Sequence, residues 1–232
     1  GVIASNSDAL REAVTQAILS TTRAEAEGSR LFFSYVKGWW QTFVEQQSGD
    51  QEGDLPVKLF VIDESSRSSR FVCTFLSPIR AGRLLPSPRH AARFVALIPV
   101  DKRVAVGGGK AESWTTLDTF LTRRCGDVEA HALLLCSLLL GYGLDAYVCL
   151  GRVQDKDGGE KEHAWVVTLG GRAAGSRRAV GWDPLTGMST ELSEFLGKLR
   201  VSCCRSVFNH STLFVSRQPF AAPTQIVHDL DD

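Results

Sequence analysis

The sequence predicts an α+β fold in which a buried central helix packs on an antiparallel sheet, with N-terminal helices ahead of it. Three observations carry this reading. Residues 128–140 are apolar on nearly every side, as a helix enclosed by a core must be. Three short runs of buried-strand type follow: Ala146–Leu150, His163–Thr168 and Ala179–Asp183. The first 47 residues instead carry apolar residues at helical spacing.

Taken in order, Leu10, Val14, Ala17 and Ile18 mark an opening amphipathic helix, with Ser7 or Asp8 available as its cap. A second helix is expected from about Ser29 to Gln47, ending at the polar linker Ser48–Leu55. Lys58–Asp63 and Phe71–Leu76 flank the polar turn Glu64–Ser69 and read as a β-hairpin. Pro86-Ser87-Pro88 then breaks the chain before a short helix, Arg89–Ala96. Gly107–Gly109 makes a loop, and Thr115–Thr122 a helix. The Gly108-Gly109-Lys110 run is no phosphate loop: Val104 and Ala111 stand where that pattern needs Gly and Ser or Thr. Asp127 caps the central helix, and Gly141 and Gly143 end it. The charged segment Arg152–Lys161 joins the first two strands, and Pro184–Gly187 closes the third. The expected division is residues 1–50, N-terminal helices packing on the core, and residues 51–232, the core domain.

With 232 residues and 44% apolar content, the chain can bury roughly 70–75% of its unfolded surface, as one large domain or two small ones. The 26 basic and 26 acidic residues cancel, removing the electrostatic term that drives binding to nucleic acids and anionic membranes. No apolar run approaches the ~20 residues of a membrane span, and no signal peptide opens the chain. Position 1 is Gly and the one methionine is Met188, so a piece of a longer protein is expected. Six scattered cysteines without CxxC spacing read as reduced core thiols. Cys203-Cys204 with His210 lacks a second ligand pair, so neither metal nor cofactor is expected.

A buried helix behind a Gly-x-x turn, then a strand carrying His163, then one carrying Asp183, resembles the transglutaminase-like, papain-related cysteine-enzyme core. The resemblance implies a nucleophilic Cys in the first turn of the helix, where dipole and imidazole lower its pKa. It implies a His that carries the proton and an Asp that orients the His. The separations, 35 residues from position 128 to His163 and 20 from His163 to Asp183, suit that core. The residue at 128, however, is Val128, which has no lone pair and no titratable proton. An inactive site follows, with Val128, His163 and Asp183 as relic positions. The competing reading is an active cysteine peptidase or transglutaminase that uses Cys125 with His163 and Asp183.

A second resemblance covers more of the chain. Pro78–Phe94, Val106–Lys110 with Trp114, Gly126–Gly151, His163–Val167 and Val207–His210 together resemble the family of the centrosomal protein of 76 kDa. It implies a degenerate transglutaminase-like domain in a centriolar, basal-body or ciliary protein. Such a domain would act through contacts with other centriolar or ciliary proteins, in centriole duplication or ciliary assembly, at the centrosome or basal body in the cytoplasm. Candidate protein-binding residues are Glu129, His131, His163 and Trp165 around the relic cleft, which could hold an extended peptide. Arg89 and Arg93 on the basic segment 78–94 are the alternative, suited to an acidic partner.

Overall fold

In the computed structural model the described residues are 2–47, 57–101, 113–155, 157–173 and 176–215. The glycine loop Gly107–Gly109 lies outside them. The chain divides into two compact units, Gly1–Asp54 and Leu55–Asp232. The first is one continuous helix, α1 (Val2–Gln47), where two were expected. Between the two apolar stretches the sequence offers Ala, Glu and Arg with a lone Gly28 and no Pro, and a single Gly costs only ~1 kcal/mol of helix propensity.

The second unit is mixed α and β. Strands β1 (Phe60–Asp63) and β2 (Ser69–Phe71) form the expected hairpin, but β2 is short and Val72–Phe75 turns into a 3₁₀ helix. Strand β3 (Ser113–Trp114), which sequence reading missed, joins β1 in parallel. Helix α2 (Pro88–Ala96) starts on Ser87, whose side chain accepts from the His90 N–H. Helix α3 (Leu117–Arg123) starts on Thr116, and α4 (Val128–Gly141) on Asp127, whose Oδ1 accepts from the Ala130 N–H at 2.8 Å. Ten consecutive residues of α4, Ala130–Leu139, are buried, as the all-round apolar pattern requires.

A six-stranded antiparallel sheet follows α4, ordered β7-β6-β5-β4-β8-β9. Its strands are β4 (Asp145–Gln154), β5 (Glu160–Ala173), β6 (Ser176–Trp182), β7 (Ser189–Glu191), β8 (Val201–Phe208) and β9 (Leu213–Val215), with α5 (Leu192–Leu199) between β7 and β8. The charged stretch 152–161 is mostly ladder, not loop: Gln154 still pairs with Glu160. Alternation sorts the sheet into two cores. Ala146, Val148, Leu150, Ala164, Val166 and Trp182 pack with α4, while Tyr147, Cys149, Trp165, Val167 and Leu169 pack with Leu192, Phe195 and Leu196 of α5.

Two glycines permit close approaches. A Cβ on Gly141 would lie 1.8 Å from the Ile79 carbonyl oxygen, where residues 78–80 cross the end of α4. A Cβ on Gly181 would lie 2.3 Å from the Phe195 ring, the contact that seats α5 on β6. Among the described residues no helix is long and apolar enough to cross a membrane.

Candidate functional site

The N-terminus of α4 is where a nucleophile would gain most from its surroundings, because the helix dipole and unpaired first-turn N–H groups favour an anion there. Val128 occupies the first helical position, and Glu129 places a carboxylate in the same turn. The first turn itself carries no cysteine. Cys125, two residues before the cap, is half-buried, and Gly126 beside it bridges to Val100 and donates to the Pro99 carbonyl. The edge of α4 is thus tied to the segment after α2.

His163 lies within β5, paired with Gly151 of β4. Alternation groups it with Trp165, Val167 and Leu169, the side of the sheet that packs on α5. Burial pushes its imidazole below the ordinary value; the Asp183 charge opposes this, and Lys161 adds to it. The ring is therefore a buried, neutral base, and its Nε2 has no hydrogen-bond partner. Asp183, just past β6, is also buried but committed elsewhere. Its Oδ1 accepts from the Leu185 N–H at 3.0 Å and its Oδ2 from the Thr186 hydroxyl at 2.7 Å. Those bonds shape the turn Pro184–Gly187, which the Gly187 N–H closes on the Asp183 carbonyl at 2.9 Å. Among the described residues no hydrogen bond joins His163 to Asp183, so the imidazole lacks the carboxylate contact that would fix its tautomer.

Glu129 and His163 both border one small cavity of about 10 Å³, with Ser206, Lys58, Glu162 and Arg205. The Ser206 hydroxyl, like His163 Nε2, is buried without a partner. A space of this size holds about one water molecule. Small-molecule sites need roughly 300–1,000 Å³, so this cavity has no room for a drug-sized ligand. Three charges seal its rim: Glu162 accepts from Lys58 Nζ at 3.1 Å and from Arg205 at 2.9 Å. Burial would raise the Glu162 pKa, but hydrogen bonds and charge from Lys58 and Arg205 hold it below the ordinary value.

Two cleft candidates are corrected by burial. His131 and Trp165 have no exposed surface, so neither can touch a partner in this conformation. His131 is a core residue of α4: Nδ1 lies 2.6 Å from the Asp127 carbonyl oxygen, Nε2 lies 2.9 Å from that of Ile98, and its ring meets Phe120 edge-on. Arg89 and Arg93, by contrast, are exposed on α2. Cys203, Cys204 and His210 do not converge: among the described residues no three His, Cys, Asp or Glu side chains could hold a metal ion. Burial raises the Cys73 thiol to about 12 and raises Cys136 and Cys149 as well, so these three are poor nucleophiles. Sequence reading missed an open groove of about 650 Å³ at the other end of α4, between Leu140–Asp145 and Asn209–Thr212. Gly141, Gly143 and Asn209, each a turn former, were the available signal.

Residues 112–232 match the family model described as the CEP76 peptidase-like domain. Over 242 residues, 96% of this chain and 35% of the relative, the chain is 39% identical to a Homo sapiens protein named Centrosomal protein of 76 kDa. Its Xenopus tropicalis namesake is 37% identical over 243 residues, again 96% of this chain and 35% of the relative. A Danio rerio protein of the same name is 48% identical over 147 residues, 62% of this chain and 21% of the relative. The chain thus spans about a third of the length of the curated relatives that it matches along nearly its whole length.

Proposed function

The chain belongs to the CEP76 peptidase-like family, and from that premise we propose that it is a non-catalytic protein-interaction module built on a degenerate transglutaminase-like core. Its place is the centrosome, centriole or ciliary basal body. There it serves centriole duplication or ciliary assembly by contacting other centriolar or ciliary proteins. The observation that carries the reading is Val128 at the first position of α4, where acyl transfer needs a thiolate. Support comes from Asp183, whose carboxylate bonds its own turn and not the imidazole. The order of buried helix, His-bearing strand and Asp-bearing turn supports the ancestry.

The test is brief alkylation of the folded chain with iodoacetamide at pH 7, read by peptide mass spectrometry, together with an ammonia-release assay on a glutamine peptide. No cysteine should outpace a free thiol, and no ammonia should form. Selective labelling of Cys125 with turnover would establish the competing enzyme that uses Cys125, His163 and Asp183. Tagged full-length protein should collect at centrioles by light microscopy; diffuse signal throughout the cell cycle would contradict the placement.

A further inference from the structure

In a chain whose acidic and basic residues balance 26 to 26, the segment Ser65–Val100 contains six arginines and no Asp, Glu or Lys. Arg70 is bound to Asp63 at 3.1 Å. Arg80, Arg83, Arg89 and Arg93 are all exposed and form no ion pair among the described residues. Helix α2 organises the last two. Ala91, Ala92 and Val95 are fully buried and fix its inner face. At 100° per residue, Arg89, Arg93 and Leu97 then run up the middle of the outer face, with His90 and Phe94 beside them. Leu97 is 75% exposed and Phe94 39%; Leu84, in the turn before the helix, is 85% exposed.

We infer that the outer face of α2 is the docking surface for an acidic, amphipathic protein segment. Its carboxylates would pair with Arg89 and Arg93, and its apolar side chains would cover Phe94 and Leu97. The inference rests on the interaction-module reading and names the surface and the class of partner for it. The Cβ atoms of residues spaced i, i+4 lie about 6 Å apart, so Arg89 and Arg93 leave the helix one turn apart, as carboxylates one helical turn apart would on a partner. Each can take a carboxylate bidentately, which Lys cannot. Arginine beside exposed aromatic and aliphatic groups is also the composition of energetic centres in protein interfaces. Nucleic acid fits less well, because the chain has no net charge and the face sets exposed Phe94 and Leu97 beside its two cations. A membrane fits less well too: Phe94 and Leu97 are the large apolar groups of the outer face, set beside two arginines and His90, and the small apolar residues of α2 face the core.

The experiment measures fluorescence anisotropy of a labelled helical peptide, with Glu every fourth residue beside Leu and Phe, against the 232-residue chain at physiological salt. The matched peptide with Gln for Glu, a single-stranded DNA and phosphatidylserine vesicles are the comparison probes. The Glu peptide should bind and weaken as salt rises. Arg89→Glu with Arg93→Glu should reduce its affinity at least ~10-fold, about 1.4 kcal/mol, and should restore binding to a peptide with Lys for Glu. Leu97→Asp should weaken binding without changing its salt slope. The proposal is overturned if the Gln peptide binds equally well, if DNA or vesicles bind better, or if no peptide binds. It is also overturned if the double reversal leaves affinity unchanged while the protein melts like the wild type. Alkylation rates on the same preparations report separately on the non-catalytic reading, so either idea can fail without the other.

Discussion

Two charged neighbourhoods of the core domain differ in one respect, and it is not the amount of charge. At the N-terminal end of α4, Glu162 holds Lys58 and Arg205, whose side chains are only 19% and 13% exposed, and the three together seal a space for one water. Nearby, Glu64 pairs with Arg123 at 3.0 Å, and Asp63 with Arg70 at 3.1 Å. On the outer face of α2 two arginines stand with no acid to meet among the described residues. Pairing is what separates the two. The corner keeps orphaned polar atoms, His163 Nε2 and Ser206 Oγ, behind its ion pairs.

The largest expected effect lies directly behind the corner. Trp165 is fully buried against the α5 cluster, so Trp165→Ala should cost ~3–5 kcal/mol. Trp182, whose indole N–H donates to the Thr168 hydroxyl at 2.9 Å, should behave similarly. The urea midpoint checks this. A loss of less than ~1 kcal/mol would mean that the wall behind the corner is loosely packed.

Next comes the seal itself. Glu162→Ala removes the acid that Lys58 and Arg205 share. The half-exposed carboxylate limits the effect, and ~1–2 kcal/mol is expected, shrinking in high salt. The acid side of the stability profile follows from the same contacts. Asp63, Glu64 and Glu162 are held below their ordinary pKa values, so their contribution is present above about pH 4.5 and is lost as pH falls through the folded values. Glu162→Ala should flatten the stability–pH curve below pH 4.5. An unchanged curve would mean that the rim pairs do not persist in solution.

His163 acts in a different window. Its folded pKa is lowered chiefly by burial, so the unfolded chain binds a proton more readily than the native one. Stability should therefore fall as pH drops through about 6.5, and the loss should end below the folded pKa. In His163→Asn the slope between about pH 5 and 7 should diminish whatever the mutation does to stability at neutral pH. A slope that survives the substitution would assign that titration to another group.

How much of this was legible in the sequence depends on how local the cause is. Helix α4 was readable because its signals are contiguous: Asp127 as cap, then, from Ala130 to Leu139, nine apolar or small positions broken only by His131, with no polar stripe. The position of Val128 in its first turn was readable for the same reason. The period-two runs gave β4, β5 and β6, although their charged ends extend further than the apolar pattern does, because cross-strand pairing continues to Gln154 and Glu160. Helix α5 was missed although Leu192, Phe195, Leu196 and Leu199 recur at helical spacing; a lone two-turn pattern after a turn is easily passed over. The closed corner could not be read at all. Lys58 and Glu162 are 104 residues apart, and their meeting depends on the strand register and on a bulge between Leu150 and Gly151 that sets Arg205. Asp183 was readable as a candidate, but not that its own turn would consume both carboxylate oxygens.

The smallest predicted effect is the most diagnostic for the comparison. If the outer face of α2 is poised for a partner and carries none of the fold, Arg89→Ala and Arg93→Ala should leave stability within ~0.5 kcal/mol of wild type. Ala has the better helix propensity, which offsets the lost aliphatic contact of each arginine. Relieving repulsion between like charges at i, i+4 adds a small stabilising increment. The measurement is paired urea titrations at low and physiological salt. Repulsion predicts that the double Ala variant gains most at low salt, where screening is weakest. A loss above ~1 kcal/mol would instead show that these arginines hold the native structure together as Lys58 and Arg205 do. The distinction between the sealed corner and the open face would then collapse.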